Sequence, residues 1–340
     1  MKDFRFSFAV TIVGLALAAF WGHRNGMGAI SAVTLAAVLS IMEVSLSFDN
    51  AVVNAAVLRD MSHKWQTIFL TVGILIAVFG MRLLFPIVIV AVATGLGMGE
   101  VAALALSDPN TYSRHLTEHY PAIAAFGGMF LLLVFLSFLF DEKRELFWLG
   151  RLEARLARLG RMPALAVMLA LAALLFLYFR LPLALAEKAT VLAAGLGGVL
   201  LFMAVSGIDL WFGEETGQQV KRNGAAAFLY LEVLDASFSF DGVIGAFAIT
   251  RDMVVIMLGL GIGAMFVRSL TIHLVRRGTL EQYVFLEHGA HYAIGALAFL
   301  MLYGIARHVS EILTGLVGMA FIVASLISSI RHNRRMSVKK

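Results

Sequence analysis

Two apolar stretches of this chain carry acids that such segments normally exclude. The first holds Glu43, Asp49, Asn50 and Asn54, and the second holds Glu232, Asp235, Ser239 and Asp241. A charged side chain at the centre of a bilayer costs about 3 kcal/mol even on permissive insertion scales, so these residues are functional candidates by default. On a regular helix Glu43, Ser47, Asn50 and Asn54 share one stripe, and Glu232, Asp235, Ser239 and Gly242 form a comparable one. Asp49 and Asp241 lie about 120° off those stripes if the helices stay regular. A kink or an unwound turn beside them would bring all the oxygens together, and Gly242 eases such a break in the second stretch. With no cysteine in the chain, a metal site must use carboxylate, amide, carbonyl, hydroxyl or imidazole, and these two stretches offer oxygen donors. Such a set suits Ca²⁺, Mn²⁺ or Mg²⁺.

Arg82 and Arg268 are the cations within the same segments, and they are expected to act as counter-charges or gates. Two arginines do not neutralise five acids, so structural ion pairing explains only part of the set. Glu287, His288 and His291 stand near the start of a later apolar run. The one-turn spacing of Glu287 and His291 allows a ligand pair or a proton relay. It equally allows a hydrogen-bonded interfacial cluster. Asp209, Glu214 and Glu215 read as a solvated acidic mouth.

The elements that must position these residues are membrane helices. Of the 340 residues 60% are hydrophobic and 14% charged, with a mean hydropathy of +0.88. A soluble domain is nearer half apolar and a quarter charged. Runs of about 20 apolar residues mark ten expected spans, at 6–21, 30–57, 65–94, 120–140, 163–179, 190–211, 225–250, 253–275, 283–305 and 311–330. The first is read as a retained helix rather than a signal peptide, because no small-x-small site ends it. The fold class expected is all-α, a polytopic membrane protein in two inverted repeats.

Charge orients the chain. Placing the 141–162 loop, with Lys143, Arg144, Arg151, Arg155, Arg158 and Arg161, in the cytoplasm leaves both termini there. It puts 19 basic residues inside and 6 outside. The formal charge of +5 is therefore a topology signal and not a sign of nucleic-acid binding. Within that loop Leu149, Leu152, Leu156 and Leu159 fall on one helical face, opposite Arg151, Arg155 and Arg158. This predicts an amphipathic helix on the inner leaflet or a short solvated connector.

The chain also matches itself. Ser47-Phe48-Asp49-Asn50 is echoed 192 residues later by Ser239-Phe240-Asp241-Gly242. At the same offset Glu43 meets Asp235, and Arg59-Asp60-Met61 meets Arg251-Asp252-Met253. After a six-residue shortening Gly73 meets Gly259 and Arg82 meets Arg268. The two copies cross in opposite directions, the architecture of secondary transporters with sites at a repeat interface. The expected halves are 1–162, ending in the linker at 141–162, and 163–340, with 30–140 pairing with 225–305.

The run Glu43-Val44-Ser45-Leu46-Ser47-Phe48-Asp49-Asn50-Ala51-Val52-Val53 resembles the TerC family of integral membrane proteins. That family carries an acid followed by a Leu-Ser-x-Asp-Asn-Ala-hydrophobic stretch. Asp235 to Val243 is similar to its second acidic motif, with Gly242 replacing the amide. The likeness is strongest to a TerC-related family long catalogued as domains of unknown function, and it covers most of the chain. The resemblance implies a place among inverted-repeat cation transporters, which include lysine exporters and Ca²⁺/H⁺ or Mn²⁺ exchangers. TerC relatives are associated with Mn²⁺ export and tellurite resistance. It implies that Glu43, Asp49, Asn50, Asp235 and Asp241 form the ion site. The residues themselves add Glu232 as a further expected ligand and Ser47, Ser239, Glu287 and His291 as accessory candidates.

The function expected is secondary transport of a divalent cation, foremost Mn²⁺ efflux, with the ion as substrate and no tightly bound cofactor. The alternatives are an intramembrane aspartyl-type enzyme, which uses two close carboxyls, and a membrane scaffold for metal or tellurite stress. No enzyme motif supports catalysis, since neither aspartate has a Gly-x-Gly-Asp context and no phosphate-binding loop, nucleophile elbow or His-Glu-x-x-His is present. The partners expected are the lipid bilayer, in a bacterial inner membrane, and the ion. The oligomeric state stays open.

Overall fold

Small residues set the first helix contacts. Ser7, Gly14, Ala18 and Gly22 recur every four to seven residues along α1 (Arg5–Arg24) and form its buried side. They let neighbouring backbones approach where bulky side chains would hold them apart. Phe6, Phe8, Ile12, Val13, Leu17 and Phe20 face outward from the same helix, as they do where lipid is the solvent. The computed structural model describes residues 2–73, 75–162, 164–212, 224–307 and 309–338.

All ten expected segments are helical, and no strand occurs among the described residues. The run 30–57 is two helices, α2 (Ala29–Leu46) and α3 (Phe48–Arg59). The run 65–94 begins with α4 (His63–Ile68), widens into π-helical turns at Phe69–Gly73 and Ile76–Leu84, and ends in α5 (Phe85–Thr94). Pro86 gives a physical reason for the widening, because its ring clashes with the carbonyl one turn earlier, that of Arg82, and it has no N–H to donate.

Two further helices fill a stretch that hydropathy leaves unassigned, α6 (Met98–Ser107) and α7 (Pro109–Glu118). Asp108 starts the latter. Its carboxylate accepts from Thr111 N at 3.2 Å, and Pro109 occupies the first turn. The remaining helices are α8 (Tyr120–Leu139), α9 (Arg151–Leu159), α10 (Leu165–Arg180), α11 (Leu185–Phe212), α12 (Gly224–Ile249), α13 (Met253–Arg276), α14 (Thr279–Gln282), α15 (Leu286–Gly304) and α16 (Glu311–Val338).

Among the described residues, six helices are long and apolar enough to cross a membrane: Arg5–Arg24, Ala29–Leu46, Tyr120–Leu139, Leu185–Gly207, Met253–Arg276 and Leu313–Met336. The protein is therefore an all-α polytopic membrane protein. The other expected spans fall short for local reasons. The run 65–94 is interrupted by the wide turns, α10 has 16 residues, α12 carries Glu232, Asp235 and Asp241, and α15 opens on Glu287, His288 and His291.

The packing units cut across the two sequence halves. One comprises residues 1–119 with 227–277, and the other 120–226 with 278–340. In the first, α13 packs on α1, α2 and α3. Ser7 Oγ donates to Met265 O at 2.6 Å, and Trp21 Nε1 donates to Asp252, which caps α13 through Val254 N and Val255 N. Repeat-related Met61 and Met253 are both buried there. In the second unit α8 is central, packed on α11 and α15, with α16 against α15.

Candidate functional site

The break between α2 and α3 falls at Ser47, whose backbone leaves the helical region at φ −103° and ψ 17°. A serine hydroxyl competes with the helix for hydrogen bonds, and here it points back one turn. Ser47 Oγ donates to Glu43 Oε1 at 3.0 Å. This is the kink expected beside Asp49. It separates the stripe into Glu43 and Ser47 on one side and Asn50 and Asn54 on the other.

Glu43 is 1% exposed and holds the most crowded position. Its Oε1 accepts from Arg82 Nη2 as well as from Ser47, so the carboxylate has both an ionic and a hydroxyl partner. Arg82 reaches it from the π-helical segment before Pro86. Two glycines make the space. A Cβ on Gly263 would lie 2.5 Å from Glu43 Cβ, and one on Gly242 would lie 2.9 Å from its Oε2. Gly242 is thus the position where the second motif lacks an amide, and the carboxylate of the first copy stands in the room left free.

The two copies also meet at Asn54 and Asp235, where Asn54 Nδ2 donates to Asp235 Oδ1 at 2.9 Å. Asp49 is 6% exposed, and its Oδ1 accepts the adjacent Asn50 N–H at 3.0 Å. Among the described residues no cationic side chain lies within ion-pair distance of it. Glu232 is 5% exposed, and both its oxygens are buried without a hydrogen-bond partner among the described residues. It packs against the wide turn at Gly73, where an added Cβ would come within 2.7 Å of Oε1. Ser239 Oγ is likewise buried and without a partner among the described residues.

The structure therefore brings together Glu43, Ser47, Arg82 and the Gly242 backbone, and it pairs Asn54 with Asp235. The Asp241 side chain lies outside the described residues, as do Asp209, Glu214 and Glu215. Among the described residues no group of three or more His, Asp or Glu side chains is placed to hold a metal ion. The Arg268 guanidinium lies 6.0 Å from the Phe6 ring centroid.

Glu287 and His291 belong to the second unit. His291 Nδ1 bonds the Glu287 carbonyl oxygen at 2.9 Å, and its ring stacks on Phe138 at 4.0 Å. The polar focus there is a different set, with Glu153 at its centre. Arg144 Nη1 donates to Glu153 Oε1 at 2.6 Å, and His288 Nε2 lies 3.7 Å from the same oxygen. Glu153 and Arg144 escaped the sequence reading because both sit in a charged loop, where nothing in the pattern separates a buried acid from a solvated one. The space-making roles of Gly73, Gly242 and Gly263 are equally invisible without coordinates.

No curated protein and no solved structure matches the chain. Residues 48–336 do match a family described as "Protein of unknown function (DUF475)". That span takes in the Asp49-Asn50 motif, the second motif around Asp235 and both arginines, and by it the chain belongs to the DUF475 family.

Proposed function

We propose that this protein is a secondary transporter of a divalent metal cation, foremost Mn²⁺ outward across a bacterial inner membrane, and that it is related to the TerC proteins. The observation that carries this reading is the meeting of the two motif copies in one unit. Asn54 of the first bonds Asp235 of the second, and Glu43 of the first fills the space at Gly242 of the second. Four acids of known placement, Glu43, Asp49, Glu232 and Asp235, stand on apolar helices, and Arg82 answers the first of them.

An all-oxygen donor set suits a hard divalent cation. In this reading Arg82 is a tethered counter-cation. It holds Glu43 in the ion-free arrangement, and a metal ion binding nearby takes over that charge. The wide turns around Arg82 give it a helix that is already out of register. Such π-type segments are frequent at functional sites. The proposed binding set is Glu43, Asp49, Asn50, Asp235 and Asp241, with Glu232 and the hydroxyls of Ser47 and Ser239 as accessory groups.

The test is flux in reconstituted vesicles with Mn²⁺, Ca²⁺ and Mg²⁺, beside thermal unfolding with the same metals. Wild type should transport at least one ion and gain stability from it through preferential binding to the folded state. D49N, D235N and D241N should each lose transport and most of that gain, because the amide keeps an oxygen but not the charge. Normal flux and a full metal-induced gain in all three variants would overturn the proposal. Peptide-bond cleavage without ion flux would favour the aspartyl-type enzyme instead.

A further inference from the structure

The linker helix α9 presents three distinct faces. At 100° per residue, Glu153 and Ala157 form one, Leu152, Leu156 and Leu159 a second roughly 110° away, and Arg151, Arg155 and Arg158 a third. Only the first is turned into the protein. Glu153 is 0% exposed, taking Arg144 Nη1 at 2.6 Å and the Leu149 N–H at 3.0 Å. His288 ties the same loop to α15 through the Leu146 carbonyl oxygen at 3.0 Å. Gly160 approaches the Phe140 carbonyl so closely that no Cβ fits between them. The helix is therefore held at both ends in one rotation about its axis.

That rotation leaves the leucines outside, with Leu149, Leu152 and Leu159 exposed at 49%, 59% and 45%. Met162 continues the apolar strip. Beside it stand the three exposed arginines, none of them ion-paired among the described residues, whereas Arg144 and Arg161 of the same loop have acidic partners. An apolar strip bordered by free guanidinium groups, at the end of the membrane-crossing helix α8, is complementary to anionic headgroups above acyl chains.

We propose that α9 is a docking element for an anionic lipid surface. Its leucine strip sits in the outer acyl region, and Arg151, Arg155 and Arg158 bind lipid phosphates. The buried Glu153 clamp fixes this orientation, so the helix transmits its seat on the lipid to α8 and α15.

The native chain has no cysteine, so single cysteines at Leu152 and Arg155 can be labelled in the full-length protein. The reconstituted vesicles contain phosphatidylcholine alone or mixed with phosphatidylglycerol. A spin label at 152 should be reached by oxygen from the acyl region, and one at 155 by a water-soluble nickel chelate. A bimane at 152 should be quenched more by brominated phosphatidylglycerol than by brominated phosphatidylcholine. R151Q/R155Q/R158Q should lose that preference, by about fivefold per arginine removed. Its unfolding temperature should stay unchanged, because these side chains leave the protein surface. Equal quenching by the two lipids in the wild-type background would overturn the proposal. So would a water-exposed label at 152, or efficient cross-linking of Cys-bearing copies through position 152, which would make the strip a protein interface.

Discussion

Gly242 lies against the carboxylate of Glu43, 199 positions earlier in the chain, at a distance that leaves no room for a side chain. An added methyl would stand 2.9 Å from Glu43 Oε2. The contact is with the far end of a flexible side chain, so G242A should fold, at a cost of about 1–2 kcal/mol from overpacking. G242N, which restores the amide of the first motif, should push Glu43 away from Arg82 and Ser47. In vesicles both variants should lose ion flux, G242N more completely. A G242N protein with wild-type flux and unfolding temperature would show that the space at 242 is incidental.

Removing Arg82 should be harsher than removing the pair. R82Q leaves Glu43 as an uncompensated buried charge and should destabilise by about 3–5 kcal/mol. E43Q/R82Q replaces both charges with amides of similar size and should recover most of the loss. Thermal unfolding in detergent measures both, and a double variant no more stable than R82Q would refute the pairing as the cause.

The amino terminus should release in acid. Asp3 lies outside the membrane spans, and its carboxyl is held below the usual range by hydrogen bonding from His273 and then from Arg276. A depressed folded value means the clamp contributes fully above the unfolded value of about 4 and is lost as pH falls through the folded one. Amide exchange at residues 2–10 should therefore be slow at neutral pH and rise steeply only below about pH 4. D3N should show fast exchange at every pH. A protected amino terminus in D3N would remove the clamp from the account.

Orientation is open to direct labelling. Cysteine at Thr117 should react with an impermeant reagent added outside intact cells. Cysteine at Met336 should react only after permeabilisation, because 19 of the basic residues fall on its side. The reverse pattern would invert the protein and reverse the direction proposed for the ion.

Several features were legible in the residues themselves. Hydropathy runs gave the helices, because a segment in lipid must satisfy its backbone internally and cover itself with apolar side chains. The 192-residue echo picked out Glu43, Asp49 and Asp235, because acids are rare enough in such runs for a repeated order to carry information. A kink beside Asp49 was expected because Asp49 lies about 120° off the Glu43 stripe on a regular helix; its position at Ser47 was not.

Tertiary structure alone decided the rest. Which acid takes Arg82, and which has no hydrogen-bond partner among the described residues, as Glu232, depends on approach distances set by glycines on other helices. That Arg82 reaches Glu43, 39 positions earlier in the chain, follows from no local pattern. Hydropathy passed over α6 because its 10 residues are too few to span, and over α7 because a polar helix started by Asp108 has no membrane signature. Glu153 looked like one solvated acid among several, and only packing shows it buried beneath Arg144. Sequence periodicity reports which side of a helix is apolar. The partner on that side is set by contacts between residues far apart in the chain, and no local pattern encodes them.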